Sequence, residues 1–165
     1  MKHAWVLGAA ALLASGCISV TDGQHPAPVA SAEPAKEAKL AFDITNGNPQ
    51  VVGLTLKVID LTRKQLIEQG VTPRIVVAFR GEASYFTQDS LAVVKEADRA
   101  EALLVKAQIR ELKNASGVEG FEQCNVPLAS RKLDPKHLMP EVQLVPNGWI
   151  SLASYQQKGY AYIVP

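Results

Sequence analysis

The sequence predicts an α/β domain of three layers, α/β/α, with a mainly parallel sheet of about five strands and helices on both faces. Three observations carry this. Strand-like and helix-like apolar patterns alternate along most of the chain, as they do where helical crossovers join parallel strands. The segment Arg74-Ile75-Val76-Val77-Ala78-Phe79 is a nearly unbroken apolar run with a β-branched centre, which a strand covered on both faces requires. The first helical pattern opens on Pro49 and closes at Gly70, the expected order of the two residues about a helix. A length of 165 residues suits one such domain, and 47% apolar against 20% charged residues suits a chain with a buried core.

The elements follow in order. Residues 40–45, Leu-Ala-Phe-Asp-Ile-Thr, form the first strand candidate. The helix from Pro49 carries apolar residues at Val51, Val52, Leu54, Leu56, Val58, Ile59, Leu61, Leu66 and Ile67. The second strand is 74–79. A long helix is expected from Ser90 to Asn114, with Leu103, Leu104, Ala107, Ile109 and Leu112 on its later apolar face. Residues 117–124, ending in Gln123-Cys124, read as the third strand and 142–145 as the fourth. Asn147 caps a helix through Lys158, Gly159 stops it, and 160–164 close the sheet as a fifth strand.

The N-terminal part has another character. Lys2 is followed by an apolar stretch from Ala4 to Ala14, too short to span a bilayer, which takes about 20 residues. A basic start, an apolar stretch and small residues before a cleavage point make a secretory signal over residues 1–16. Leu13-Ala14-Ser15-Gly16-Cys17 resembles the lipobox of bacterial lipoproteins, with Ala14 where leucine is usual. That resemblance implies acylation of Cys17, a membrane partner held through the lipid, and a place in the cell envelope facing the periplasm. Ile18 in place of aspartate points to the outer membrane. Residues 17–37 are rich in Pro, Ala, Ser and Gly, poor in large apolar side chains, and read as a tether. The domain proper is 38–165. Lys2 is the only formally charged residue before Cys17, so basic and acidic residues balance in the remainder. A neutral balance provides no footprint for nucleic acid, which is excluded as a partner.

Ligands of open α/β sheets bind beyond the carboxyl ends of the strands. Those ends carry Asn46 and Asn48, then Arg80 and Gly81, then Cys124 and Asn125, and last Asn147. These are the candidate ligand-binding residues, although each asparagine has an alternative role as a helix cap. Cys124 is the candidate reactive residue. It ends a strand, precedes a helix start at Asn125-Val126-Pro127, and has Arg131 and Lys132 close by. With Cys17 acylated it has no disulfide partner within the chain. On the residues alone it is either a reactive thiol or a buried small hydrophobe.

Residues 74–81, Gly117-Val118, Gln123-Cys124-Asn125, residues 145–148, and above all the stretch Gln156-Gln157-Lys158-Gly159-Tyr160-Ala161-Tyr162-Ile163 together resemble the DsrE/DsrF-like family. The similarity covers residues 38–165 and is nearest the exported branch labelled intracellular sulfur oxidation protein. It implies a flavodoxin-like fold, assembly as a trimer or hexamer, and a relay partner. It also implies that Cys124, at the family's cysteine position, accepts sulfur as a persulfide. Arg80 either holds an anionic sulfur species or pairs with Glu82 or solvent. Other chemistries lack parts: His3, His25 and His137 are scattered, no spacing suits zinc, and no phosphate loop or nucleophile elbow occurs. A metal and a cofactor are therefore not expected. The functions in competition are a sulfur carrier, a non-catalytic ligand- or partner-binding module, and a thiol redox sensor.

Overall fold

The computed structural model describes residues 36–165. The predicted signal peptide, Cys17 and most of the tether lie outside the described residues.

Among the described residues, five strands form one sheet: β1 Glu37–Ile44, β2 Thr72–Phe79, β3 Val118–Cys124, β4 Val142–Val145 and β5 Ala161–Ile163. All neighbours pair in parallel, in the order β4-β3-β2-β1-β5. The helices are α1 Pro49–Glu68, α2 Arg99–Lys113, α3 Asn125–Ser130 and α4 Gly148–Gln157. From β1 the chain steps outward through β2 and β3 to β4, then returns across the sheet to place β5 on the far side of β1. Right-handed crossovers running in opposite directions put their helices on opposite faces. Accordingly, Val52, Leu56 and Ile59 of α1 and Val105 and Ile109 of α2 pack with Phe42, Ile75, Val77 and Phe121 on one face. On the other, Leu152 of α4 packs with Ala41, Val76 and Ala78. The three layers and the parallel sheet are as the sequence predicts.

Some expectations are corrected. The helix anticipated from Ser90 begins only at Arg99. Residues 81–87 form a 3-10 helix instead, and the loop after it is pinned from across the fold. Lys106, buried in α2, donates through Nζ to the carbonyls of Gln88, Asp89 and Ser90. Those carbonyls are bound to the lysine, so the loop reaches α2 as a separate segment. The lysine's pKa is lowered by its burial. Within α2, Leu103 and Leu104 are exposed, whereas Ala102, Val105, Ile109 and Leu112 face the core. In α1 only part of the apolar set is buried; Val51, Leu54, Val58 and Leu61 lie on the outer face. β1 starts at Glu37, three residues before the expected first strand, because Glu37 pairs with Thr72 of β2.

The caps explain the helix starts. Asn48 Oδ1 accepts from Gln50 N at 2.9 Å, and Pro49 follows it in the first turn. Asn147 Oδ1 accepts from Trp149 N at 3.0 Å. Asn46 shapes the preceding turn by accepting from Asn48 N at 2.8 Å. Asn125 is not a cap: Cys124 holds the capping position of α3 and Asn125 is its first helical residue.

Candidate functional site

Strand alternation decides what meets at the site. Residues two apart share a face. With Phe42, Ile75, Val77 and Phe121 committed to the α1 and α2 side, Asp43 of β1, Arg80 after β2, and Glu122 and Cys124 of β3 face the side of α4. Among the described residues, α4 is the helix that packs on that face. Polar groups therefore gather there under α4.

Glu122 anchors the helix. Its carboxylate accepts from Ser151 Oγ and from Tyr155 OH, the latter at 2.8 Å. Burial, reinforced by this carboxylate, raises the pKa of the Tyr155 phenol. Held at Ser151 and Tyr155, α4 delivers its first turn to Cys124, two residues after Glu122. Gly148 N donates to Cys124 Sγ at 3.1 Å. A Cβ on Gly148 would stand 2.7 Å from Arg80 Cδ and 3.0 Å from Cys124 Cβ, so only glycine permits this approach.

Arg80 lies on the other side of Gly148. Its Nε donates to Asp43 Oδ1 at 2.8 Å and its Nη2 donates to Asp43 Oδ2. Asp43 is 1% exposed and accepts a further hydrogen bond from Tyr162 OH at 2.6 Å. The Arg80 guanidinium also sits 5.4 Å from the centroid of the Trp149 ring. The hydrogen-bonded carboxylate of Asp43 raises the pKa of Arg80 above its ordinary value. This overturns the expected pairing of Arg80 with Glu82 or solvent. Asp43 takes it because Arg80 lies two residues past Ala78, the β2 residue that pairs with Asp43.

Cys124 is 4% exposed. It is not sealed in hydrocarbon, since it lines a cavity of about 240 Å³ at the carboxyl ends of β2 and β3. Arg80, Gly81, Asn147 and Trp149 line that cavity together with Val126, Pro127, Ser130 and Arg131. Gly81 has φ +55°, a left-handed conformation that favours glycine, and a Cβ there would meet Thr45 O at 3.1 Å. Of the predicted site residues, Cys124, Arg80, Gly81 and Asn147 are thus brought together. Asn46 and Asn48 are not: they line a different hollow with Glu82, Lys95 and Asp98. Asn125 is not among the lining residues either. Sequence reasoning missed Trp149 and Asp43. The sign of the first was its place just after the Asn147-Gly148 cap; that of the second was an acid between Phe42 and Ile44 in an otherwise apolar strand. Among the described residues no group of His, Cys, Asp and Glu could hold a metal ion.

Comparison with known proteins agrees with this architecture. The chain is 30% identical over 129 residues to an uncharacterized protein of Aquifex aeolicus, an alignment covering 78% of this chain and 56% of that protein. It thus spans little more than half of that relative's length. A solved structure, a protein of unknown function from Methanobacterium thermoautotrophicum, superposes with a TM-score of 0.60 at 22% identity. That match covers 78% of this chain and 99% of the other, and it shows a shared fold. The family model described as DsrE/DsrF-like matches residues 20–165. The chain belongs to the DsrE/DsrF-like family.

Proposed function

We propose that this protein is a lipid-anchored envelope protein whose domain carries sulfane sulfur as a persulfide on Cys124. One observation carries the sulfur reading: Cys124 ends a strand, lines a cavity together with Arg80 and Arg131, and accepts at its sulfur a backbone N–H from the first turn of α4. An N–H aimed at sulfur complements negative charge there, and the thiolate is the form that attacks sulfur. Family membership supports the same chemistry, because persulfide relay is what the resemblance implies. The lipid anchor rests on the lipobox-like residues before Cys17. Burial of the sulfur limits reaction to donors that enter the cavity, which suits a carrier better than an open redox sensor.

The test is mass. The full chain, incubated with polysulfide and then digested, is expected to gain about 32 Da per sulfur atom on the peptide containing Cys124. Absence of that gain, while small control thiols load readily, refutes the carrier reading and leaves a non-catalytic binding module.

A further inference from the structure

We infer that Arg131 is the specificity-determining residue of the Cys124 cavity, and that the donor it selects is a small sulfane-sulfur anion of the thiosulfonate or polysulfide type. The inference rests on the carrier reading and identifies its substrate class.

Most of the charged and polar atoms of the cavity have partners within the fold. Arg80 is held on two nitrogens by buried Asp43. Asn147 Oδ1 is used by Trp149 N, and Gly148 N by the sulfur itself. Ser130 Oγ donates to Pro127 O at 3.1 Å. Arg131 remains. Its guanidinium makes one long contact, Nη1 to Ser130 Oγ at 3.3 Å, and has no carboxylate partner among the described residues. Among the described residues, no acid lines the cavity. Apart from these groups the walls are the carbon surfaces of Val126, Pro127 and Trp149. A donor with one anionic end and a soft, weakly hydrated sulfur end matches that division. The anion meets Arg131 while the sulfur lies along the apolar wall toward Cys124. Arg80, already neutralised, acts as wall.

The transfer balances without an external oxidant. The Cys124 thiolate attacks the outer sulfur of the donor, and an Sγ–S bond forms as the donor's own S–S bond breaks. The electron pair leaves with sulfite, if the donor is thiosulfate, or with a polysulfide shorter by one atom. Cys124 is left as the persulfide anion.

Two alkylating reagents of similar size separate charge selection from simple access: iodoacetate, an anion, and iodoacetamide, which is neutral. Rates at Cys124 in the full chain are read by digestion and mass measurement. Arg131→Gln is expected to lower the iodoacetate-to-iodoacetamide rate ratio about threefold to fivefold, the size of one partly exposed charge pair, and Arg131→Lys to restore most of it. Loading from thiosulfate and from polysulfide, run separately, should need correspondingly more donor in Arg131→Gln at an unchanged maximal rate. A ratio that does not move, or equal slowing of both reagents, overturns the role of Arg131. Sulfur loading that is indifferent to Arg131→Gln overturns the donor assignment alone. A wild-type chain that alkylates but takes sulfur from neither anion overturns the carrier reading and the donor class with it.

Discussion

At the scale of residues, Asp43 decides what kind of group Arg80 is. A buried carboxylate takes two nitrogens of the Arg80 guanidinium and a tyrosine hydroxyl completes its shell, so most of the charge of Arg80 is met within the fold. Asp43→Asn leaves that arginine uncompensated, with an expected loss of roughly 3 kcal/mol in urea unfolding. It also exposes a second cation to the cavity, so iodoacetate should gain on iodoacetamide at Cys124, opposite in sign to the change for Arg131→Gln. Stability and alkylation ratio both unchanged would mean that the pair holds nothing in place. Little of this was legible beforehand. Arg80 and Cys124 stand out as polar or reactive residues at strand ends, but their partners depend on strand register. Asp43 reaches Arg80 only because β1 and β2 pair with Asp43 opposite Ala78, and nothing local in residues 40–45 announces that.

At the scale of elements, α4 is both the cover of one sheet face and a component of the site. Glu122 sets its position and Gly148 delivers its first amide to the sulfur. Gly148→Ala forces a methyl against Arg80 and Cys124, which should cost about 1–3 kcal/mol as an overpacked contact. The same change should alter the alkylation rate of Cys124 with both reagents alike, since it acts on access and not on charge. Wild-type stability and rate in that variant would show that the helix end yields freely. Helix starts were well marked in the sequence where a side chain makes the cap, as at Asn48-Pro49 and Asn147-Gly148. The start of α2 was not, because Lys106 binds the carbonyls of residues 88–90 from a turn of helix further along the chain. A local pattern carries no record of such a tertiary contact. The apolar residues of α1 likewise gave the helix but not its inner face: leucines and valines occur on both sides, and only packing separates Val52, Leu56 and Ile59 from the rest.

At the scale of the whole molecule, the alternation of strand and helix patterns was enough for the layers and the parallel sheet, because each crossover length and boundary constrains the next. Which candidate residues converge was less accessible: Asn46 and Asn48 sit at a strand end as expected, yet they open onto a separate hollow. The proposed lipid anchor has its own test. Metabolic labelling with a palmitate analogue should tag the protein, and Cys17→Ser should abolish the tag. A wild-type chain that never labels removes the anchored reading without touching the domain.

The five-stranded sheet also works as a partition. Cohesion is concentrated on the side of α1 and α2, where the large aromatic and aliphatic residues interlock, while the Cys124 sulfur and its charged neighbours occupy the side covered by α4. Changes at lining residues outside both cores, such as Val126 and Arg131, can therefore alter what the thiol meets at little expense to foldedness. Changes on the oily side are filtered first by survival of the fold. In a scaffold divided in this way, the surroundings of the thiol are open to selection one side chain at a time.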